Sequence, residues 1–261
     1  MPKFAANISL LFAEVPFPQR IARAAKAGFR AVECQFPFPF GAELLAAQLD
    51  EQKMSMVLHN LPAGDFPAGD RGVAVHPERV GEFQDGVGQG IAYAKALGCG
   101  QLNCLVGLRP EGVPEEKIRA TVVDNLRFAA KALAKEEIRL LVEPLNSQDI
   151  PGFYLVYSRD TLQLFKEVNH PNIHLQYDIF HMQIMEGNLT RTIRDNLASI
   201  AHMQFADNPG RHEPGTGEIN YPNLFQFIDE SGYDGWIGAE YNPAGKTEEG
   251  LDWFNPYRKA G

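Results

Sequence analysis

A chain of 261 residues with 44% hydrophobic and 22% charged side chains has an ordinary globular composition, which excludes a largely disordered polypeptide. Its net charge of -9, from 24 basic and 33 acidic residues, has no basic excess behind it and argues against a nucleic-acid partner. Cys34, Cys99 and Cys104 are too few, and odd in number, for a disulfide framework; without a signal-peptide pattern over residues 1–12 or an apolar run near the ~20 residues of a membrane span, a cytoplasmic, reduced protein is expected.

In chain order, short apolar runs alternate with longer amphipathic stretches. The first predicted strand, 4–7, leads to Pro16-Phe17-Pro18 and a helix over 19–27 that stops at Gly28. A strand at 31–33 is followed by Phe36-Pro37-Phe38-Pro39-Phe40, which reads equally as a rigid loop or as an apolar wall over a pocket. Strand 56–59 precedes a helix over 82–97 ending at Gly98, and strand 101–103 precedes a helix that opens at Pro114 and runs to about 135. Strand 139–143 leads to a helix capped by Ser158 and running to about 168, and strand 173–178 to a helix capped by Asn188. Strand 201–204, a helix over 221–231 stopping at Gly232, and strand 236–240 complete the series. Alternating strands and helices favour a parallel α/β sheet, and the length is close to the ~250 residues of one (β/α)8 barrel. A single TIM-barrel domain over 1–261 is therefore expected; a doubly wound dinucleotide fold would want a GxGxxG after the first strand, where none stands.

Every predicted strand ends on a polar residue: Asn7, Glu33, His59, Asn103, Glu143, Asp178, Gln204 and Glu240. In a (β/α)8 barrel these ends meet around one axis, at the face where active sites are built. Any one of them could merely satisfy loop backbone groups. Glu143, Asp178 and Glu240, however, each close an apolar strand, and carboxylates near a barrel axis are costly unless paired or bound to a cation. Carboxylates with an amide oxygen make a hard-oxygen site, suited to Mg²⁺ or Mn²⁺ rather than to a thiolate-seeking metal. His181, three residues beyond Asp178, falls beside the same mouth or caps a loop.

Several segments resemble the hydroxypyruvate isomerase family of xylose-isomerase-like barrels, which includes the 2-oxo-tetronate isomerases. They are Val142-Glu143-Pro144-Leu145-Asn146, Gln176-Tyr177-Asp178-Ile179-Phe180-His181, His202-Met203-Gln204-Phe205-Ala206-Asp207, Glu213-Pro214-Gly215-Thr216-Gly217-Glu218-Ile219 and Gly238-Ala239-Glu240-Tyr241. The resemblance runs from Asn7 to the end of the chain. It implies metal ligands at Glu143, Asp178, Gln204 and Glu240, with Glu143 and Glu240 as the acid/base pair. Related ketose 3-epimerases carry histidine where this chain has Gln204, which turns the expectation from epimerase toward isomerase.

The implied reaction, placed in carbohydrate-acid and glyoxylate metabolism, interconverts hydroxypyruvate and 2-hydroxy-3-oxopropanoate through an enediolate. A divalent metal, Mg²⁺ first and Mn²⁺ second, would stabilise the developing charge. His59, His181, Asp207 and Arg211 are the candidate substrate contacts. Arg211 is the first choice for the substrate carboxylate, with Arg71 and Arg109 behind it. The alternatives are 2-oxo-tetronate isomerase, ketose 3-epimerase and, on a similar barrel, a DNA-repair endonuclease, which the charge and only seven histidines disfavour. A homo-oligomer is left open.

Overall fold

The computed structural model describes residues 1–258. Eight parallel strands, paired in sequence order, close into one barrel. They are β1 (Lys3–Asn7), β2 (Ala31–Cys34), β3 (Ser55–Asn60), β4 (Gln101–Cys104), β5 (Arg139–Val142), β6 (Ile173–Asp178), β7 (Ile200–Phe205) and β8 (Trp236–Ala239). All eight coincide with the predicted runs, with no end moved by more than one residue. Glu143 and Glu240 are the first residues past their strands rather than the last within them.

The helices are α1 (Arg20–Lys26), α2 (Ala42–Gln52), α3 (Val80–Leu97), α4 (Glu115–Ala134), α5 (Ser158–Val168), α6 (Ile179–Met185), α7 (Leu189–Asn196) and α8 (Tyr221–Glu230). Gly28, Gly98 and Gly232 all have positive φ where α1, α3 and α8 give way to the next strand, the left-handed stop expected there. Two helices escaped the sequence reading. α2 directly follows the Pro/Phe run, and α6 starts on the residue after Asp178, whose own side chain caps it. Ser158 is not a cap; it is the first residue of α5, and its hydroxyl donates to Glu186 Oε1 at 2.8 Å.

The barrel has two interiors. Ala5, Ala31 and Val57 fill the inside below the mouth, backed by Trp236. Between barrel and helices, Phe4 packs edge-on against Phe205, Phe225 and Trp253 at centroid distances of 4.8 to 5.8 Å. That cluster anchors the turns after β8, where the described chain forms short 3-10 segments in place of a long helix. The mouth side chains thus stand on a closed, fully packed ring.

Candidate active site

The strand-end residues converge on the mouth, all but His59. Glu143 Oε2 accepts hydrogen bonds from Asn103 Nδ2 and Gln176 Nε2, both at 2.9 Å. Glu240 Oε1 accepts from Asn7 Nδ2 at 3.0 Å and Gln35 Nε2 at 3.3 Å, and its Oε2 from Arg211 at 3.0 Å. Asp178 Oδ1 accepts the Phe180 N–H at the start of α6, at 2.8 Å, while Oδ2 is buried with no hydrogen-bond partner among the described residues.

Gln204 is oriented from both ends. Its Nε2 donates to Glu33 Oε1 at 2.7 Å, and its Oε1 accepts from Gln176 Nε2 at 2.6 Å. Glu33 is completely buried and also bonds Asn7 Nδ2 and, at 2.6 Å, His202 Nε2. Sequence reasoning gave Glu33, His202 and Gln176 no task. Gln176 and His202 each stand two residues before a mouth residue, on the same face of a strand, and that spacing was the available signal.

His59 is a correction. β3 carries one extra residue against β2, since Met56 pairs with Val32 but Leu58 with Glu33; this sets His59 beside Cys34, facing outward, and brings Asn60 to the mouth, where it accepts from Asn103 Nδ2 at 3.1 Å. The His59 ring meets Phe38 edge-on and bonds the Asn60 carbonyl. Burial lowers its pKa to about 4, so it is a neutral side chain packed outside the mouth.

Asp207 is a brace. Its two carboxylate oxygens accept four backbone N–H groups, from Asn208, Gly215, Gly217 and Ile219, at 2.8 to 3.1 Å, which leaves it poorly placed to hold substrate. The loop it ties presents Arg211, whose guanidinium lies over the Phe180 ring and 3.9 Å from Asp178 Oδ2. Burial works against the Arg211 charge, and Glu240 and Asp178 outweigh it and raise its pKa. Arg109 lies elsewhere, paired with Glu115 and beside Tyr154.

His181 is buried in the mouth. Asn146 Oδ1 accepts the N–H groups of Gln148 and Asp149, so its Nδ2 faces the other way and donates to His181 Nδ1 at 2.7 Å. The ring proton therefore sits on Nε2, 3.5 Å from Asp178 Oδ2. Burial, then Arg211, hold the His181 pKa well below its ordinary value. A neutral ring with its proton turned into the site donates hydrogen bonds there; although Glu143, Asp178 and His181 place ligand-type atoms within 4.8 Å of one another, this tautomer makes the histidine the weakest of them as a metal ligand.

The carboxylates are strained electrostatically. Burial, then Glu240 and Asp178, push Glu143 well above the usual range. Burial raises Asp178 against the opposing pull of Arg211. Burial lifts Glu240 to about 7, with Arg211 pulling down and Asp178 and Glu33 adding to the rise. A divalent cation answers both the mutual repulsion and the orphaned Asp178 oxygen, so the donor set fits a hard metal ion. The mouth opens into a cavity of about 110 Å³, bounded by Phe36, Asn60, Phe66, Arg71 and Leu145 as well as by the site residues. That is well short of the ~300–1,000 Å³ of drug-sized ligand pockets. A larger groove of about 410 Å³ beside Phe12 and Lys246 lies away from this chemistry, and its charges pair across it, as Arg23 does with Glu248.

Known proteins share this fold. The profile of the family described as "Xylose isomerase-like TIM barrel" matches residues 21–257. The chain belongs to that family. Within it, the chain is 52% identical to the hydroxypyruvate isomerase of Escherichia coli (strain K12), over 99% of this chain and 100% of the relative. It is 42% identical to the 2-oxo-tetronate isomerase of Cupriavidus necator, over 98% and 99% of the two chains. It is thus an isomerase of the hydroxypyruvate isomerase family. A solved structure titled "AP endonuclease, family 2 from Brucella melitensis" superposes with a TM-score of 0.97 at 46% identity, covering 99% of this chain and 100% of that one. An L-ribulose 3-epimerase structure, at 20% identity and a TM-score of 0.78 over 100% of this chain and 89% of that one, shares the fold.

Proposed function

We propose that this isomerase interconverts hydroxypyruvate and 2-hydroxy-3-oxopropanoate with the help of a divalent metal, Mg²⁺ first and Mn²⁺ second. The observation that carries the reading is the pair of buried carboxylates, Glu143 and Glu240, with β6 and β7 between their strands and both pushed upward in pKa.

Glu143, Asp178, Gln204 and Glu240 would hold the metal, which when bound supplies Lewis-acid stabilisation of negative charge on substrate oxygens. The chain's own residues do the rest. One carboxylate of the pair takes the proton from the hydroxymethyl carbon as the carbon–carbon double bond forms and the carbonyl oxygen gains a proton; as that bond collapses a proton is returned to the neighbouring carbon and the original hydroxyl oxygen gives up its proton to become the new carbonyl. Asn103 and Gln176 aim Glu143, and Asn7 and Gln35 aim Glu240. The His181 Nε2–H and Arg211 are donors for substrate oxygens, and the small cavity limits the water around them. Asp178 and Gln204 exchange no protons.

Glu143→Gln and Glu240→Gln are each expected to lower turnover of hydroxypyruvate by at least ~10²-fold in folded protein, and stripping the metal with a chelator to do the same. Full activity in either variant or in the stripped protein would overturn the mechanism. The second reading, 2-oxo-tetronate isomerisation, rests on the 42% identical relative. Assaying both acids side by side decides between the two.

A further inference from the structure

We infer that Arg71 is the residue that holds the substrate carboxylate, and so selects acids over neutral sugars; the inference rests on the proposed hydroxy-acid reaction. Two arginines line the cavity, Arg71 and Arg211. Arg211 is already engaged with Glu240 and lies beside Asp178, on the side of the mouth where the chemistry occurs. Arg71 has no carboxylate within ion-pair reach among the described residues, whereas its neighbour in sequence Arg79 is taken by Asp70 and Glu82.

The guanidinium of Arg71 is held without being used up. Its face lies over the Phe66 ring with the central carbon 4.1 Å from the centroid. A single nitrogen, Nη1, donates to the carbonyls of Phe66 and Asp70 at 3.1 and 2.7 Å. Nε and Nη2 bond no protein group among the described residues, and together they form one edge of the planar fork that matches a carboxylate.

The segment carrying it is braced on several sides. Arg79 grips Asp70 with both terminal nitrogens, at 3.0 and 2.7 Å. Gly72, at φ +117°, lies so close to the strand-end loop after β4 that a Cβ would run into the Leu105 carbonyl. Phe66 in turn packs on Phe36, from the Pro/Phe run after β2, with centroids 5.1 Å apart. The apolar wall expected of that run therefore serves to seat an arginine. In a protein of net charge -9, an anionic substrate needs such a local cation to offset the overall field.

The test compares Arg71→Gln, Arg71→Lys and the wild type, each loaded with Mn²⁺. Turnover is measured on hydroxypyruvate and on neutral dihydroxyacetone, and binding of D-glycerate against glycerol is measured by calorimetry. Arg71→Gln is expected to raise KM for hydroxypyruvate about 10- to 100-fold with a much smaller change in kcat, and to weaken D-glycerate binding by a similar factor. Arg71→Lys or added guanidinium should recover part of the loss. An equal loss of kcat/KM on acid and neutral substrates, an unchanged KM for the acid, or failure of the wild type to prefer D-glycerate over glycerol would overturn it. If the wild type turns over no hydroxy acid, the reaction proposed above fails, and the D-glycerate comparison still decides Arg71.

Discussion

A glutamine can present either end of its amide to a site, and only the oxygen end is useful to a cation. Glu33 decides the matter for Gln204, because its carboxylate can only accept and so binds the Nε2 end. Glu33 is held in turn by Asn7 and His202, and His202 by Gln101 at 3.2 Å, a chain of partners that fixes the orientation. The arrangement also needs a gap, and Gly238 provides it. A Cβ at 238 would overlap both carboxylate oxygens of Glu33. β8 cannot step aside, since Gly238 is in register with Ala5 on one side and Gln204 on the other. Gly238→Ala should therefore displace Glu33, release the Gln204 amide and weaken Mn²⁺ binding about 10- to 100-fold, read by electron paramagnetic resonance in protein whose circular dichroism is native. Native Mn²⁺ affinity in the folded variant would mean that Glu33 does not set the Gln204 orientation.

At the scale of elements, strand alternation and loop bracing share the work of building the site. The loop between β7 and α8 hangs on Asp207, and its Arg211 has φ 54°, with its N–H bonded to the Asp207 carbonyl and its own carbonyl to Asn242. Removing the carboxylate in Asp207→Ala strands four backbone donors at once, where each hydrogen bond to a charged group is worth about 1.5–3 kcal/mol. Amide exchange over residues 208–219 should accelerate, and KM should rise as Arg211 loses its seat; unchanged exchange would show the brace to be dispensable. The same scale explains what the sequence could disclose. Eight strands were legible because each is a short apolar run that ends where a polar side chain leaves the core. The face was legible at Glu33, Asn103 and Gln204 although their strands run one residue further than expected; in β3 an extra residue between Met56 and Leu58 turns the side chains over, and this is how His59 stands in for Asn60. α2 was hidden by the Pro/Phe run before it, and α6 because a helix can begin on the residue after a strand when a carboxylate caps it. Arg71 was named but placed behind Arg211, because whether an arginine is already paired depends on which carboxylates the fold brings near it, and spacing along the chain does not carry that.

For the molecule as a whole, the mouth couples stability, pH and metal. In metal-free protein Glu240 is raised from its ordinary 4.5 to about 7, and Glu143 and Asp178 also lie high. The folded state thus holds protons that the unfolded chain has released, and stability must fall as pH rises through that interval. The buried histidines act in the opposite sense at lower pH. His59, lowered from 6.5 to about 4, makes the unfolded chain the better proton binder between those values, so that its contribution grows as pH rises and is complete above 6.5. The carboxylate effect should consequently appear without opposition only above about pH 6.5. Between pH 6.5 and 8.5 the melting temperature of the stripped protein is expected to drop by about 5 °C or more, and the drop should be small with saturating Mn²⁺ or Mg²⁺, because a cation replaces the protons as partner of the charged carboxylates. Calorimetry in buffers of different ionisation enthalpy should show proton release on metal binding near pH 6.5 that shrinks by pH 8.5. A stripped protein whose stability is flat or rises across that window, or metal binding that releases no protons at pH 6.5, would show that the carboxylates are already ionised and balanced without a cation.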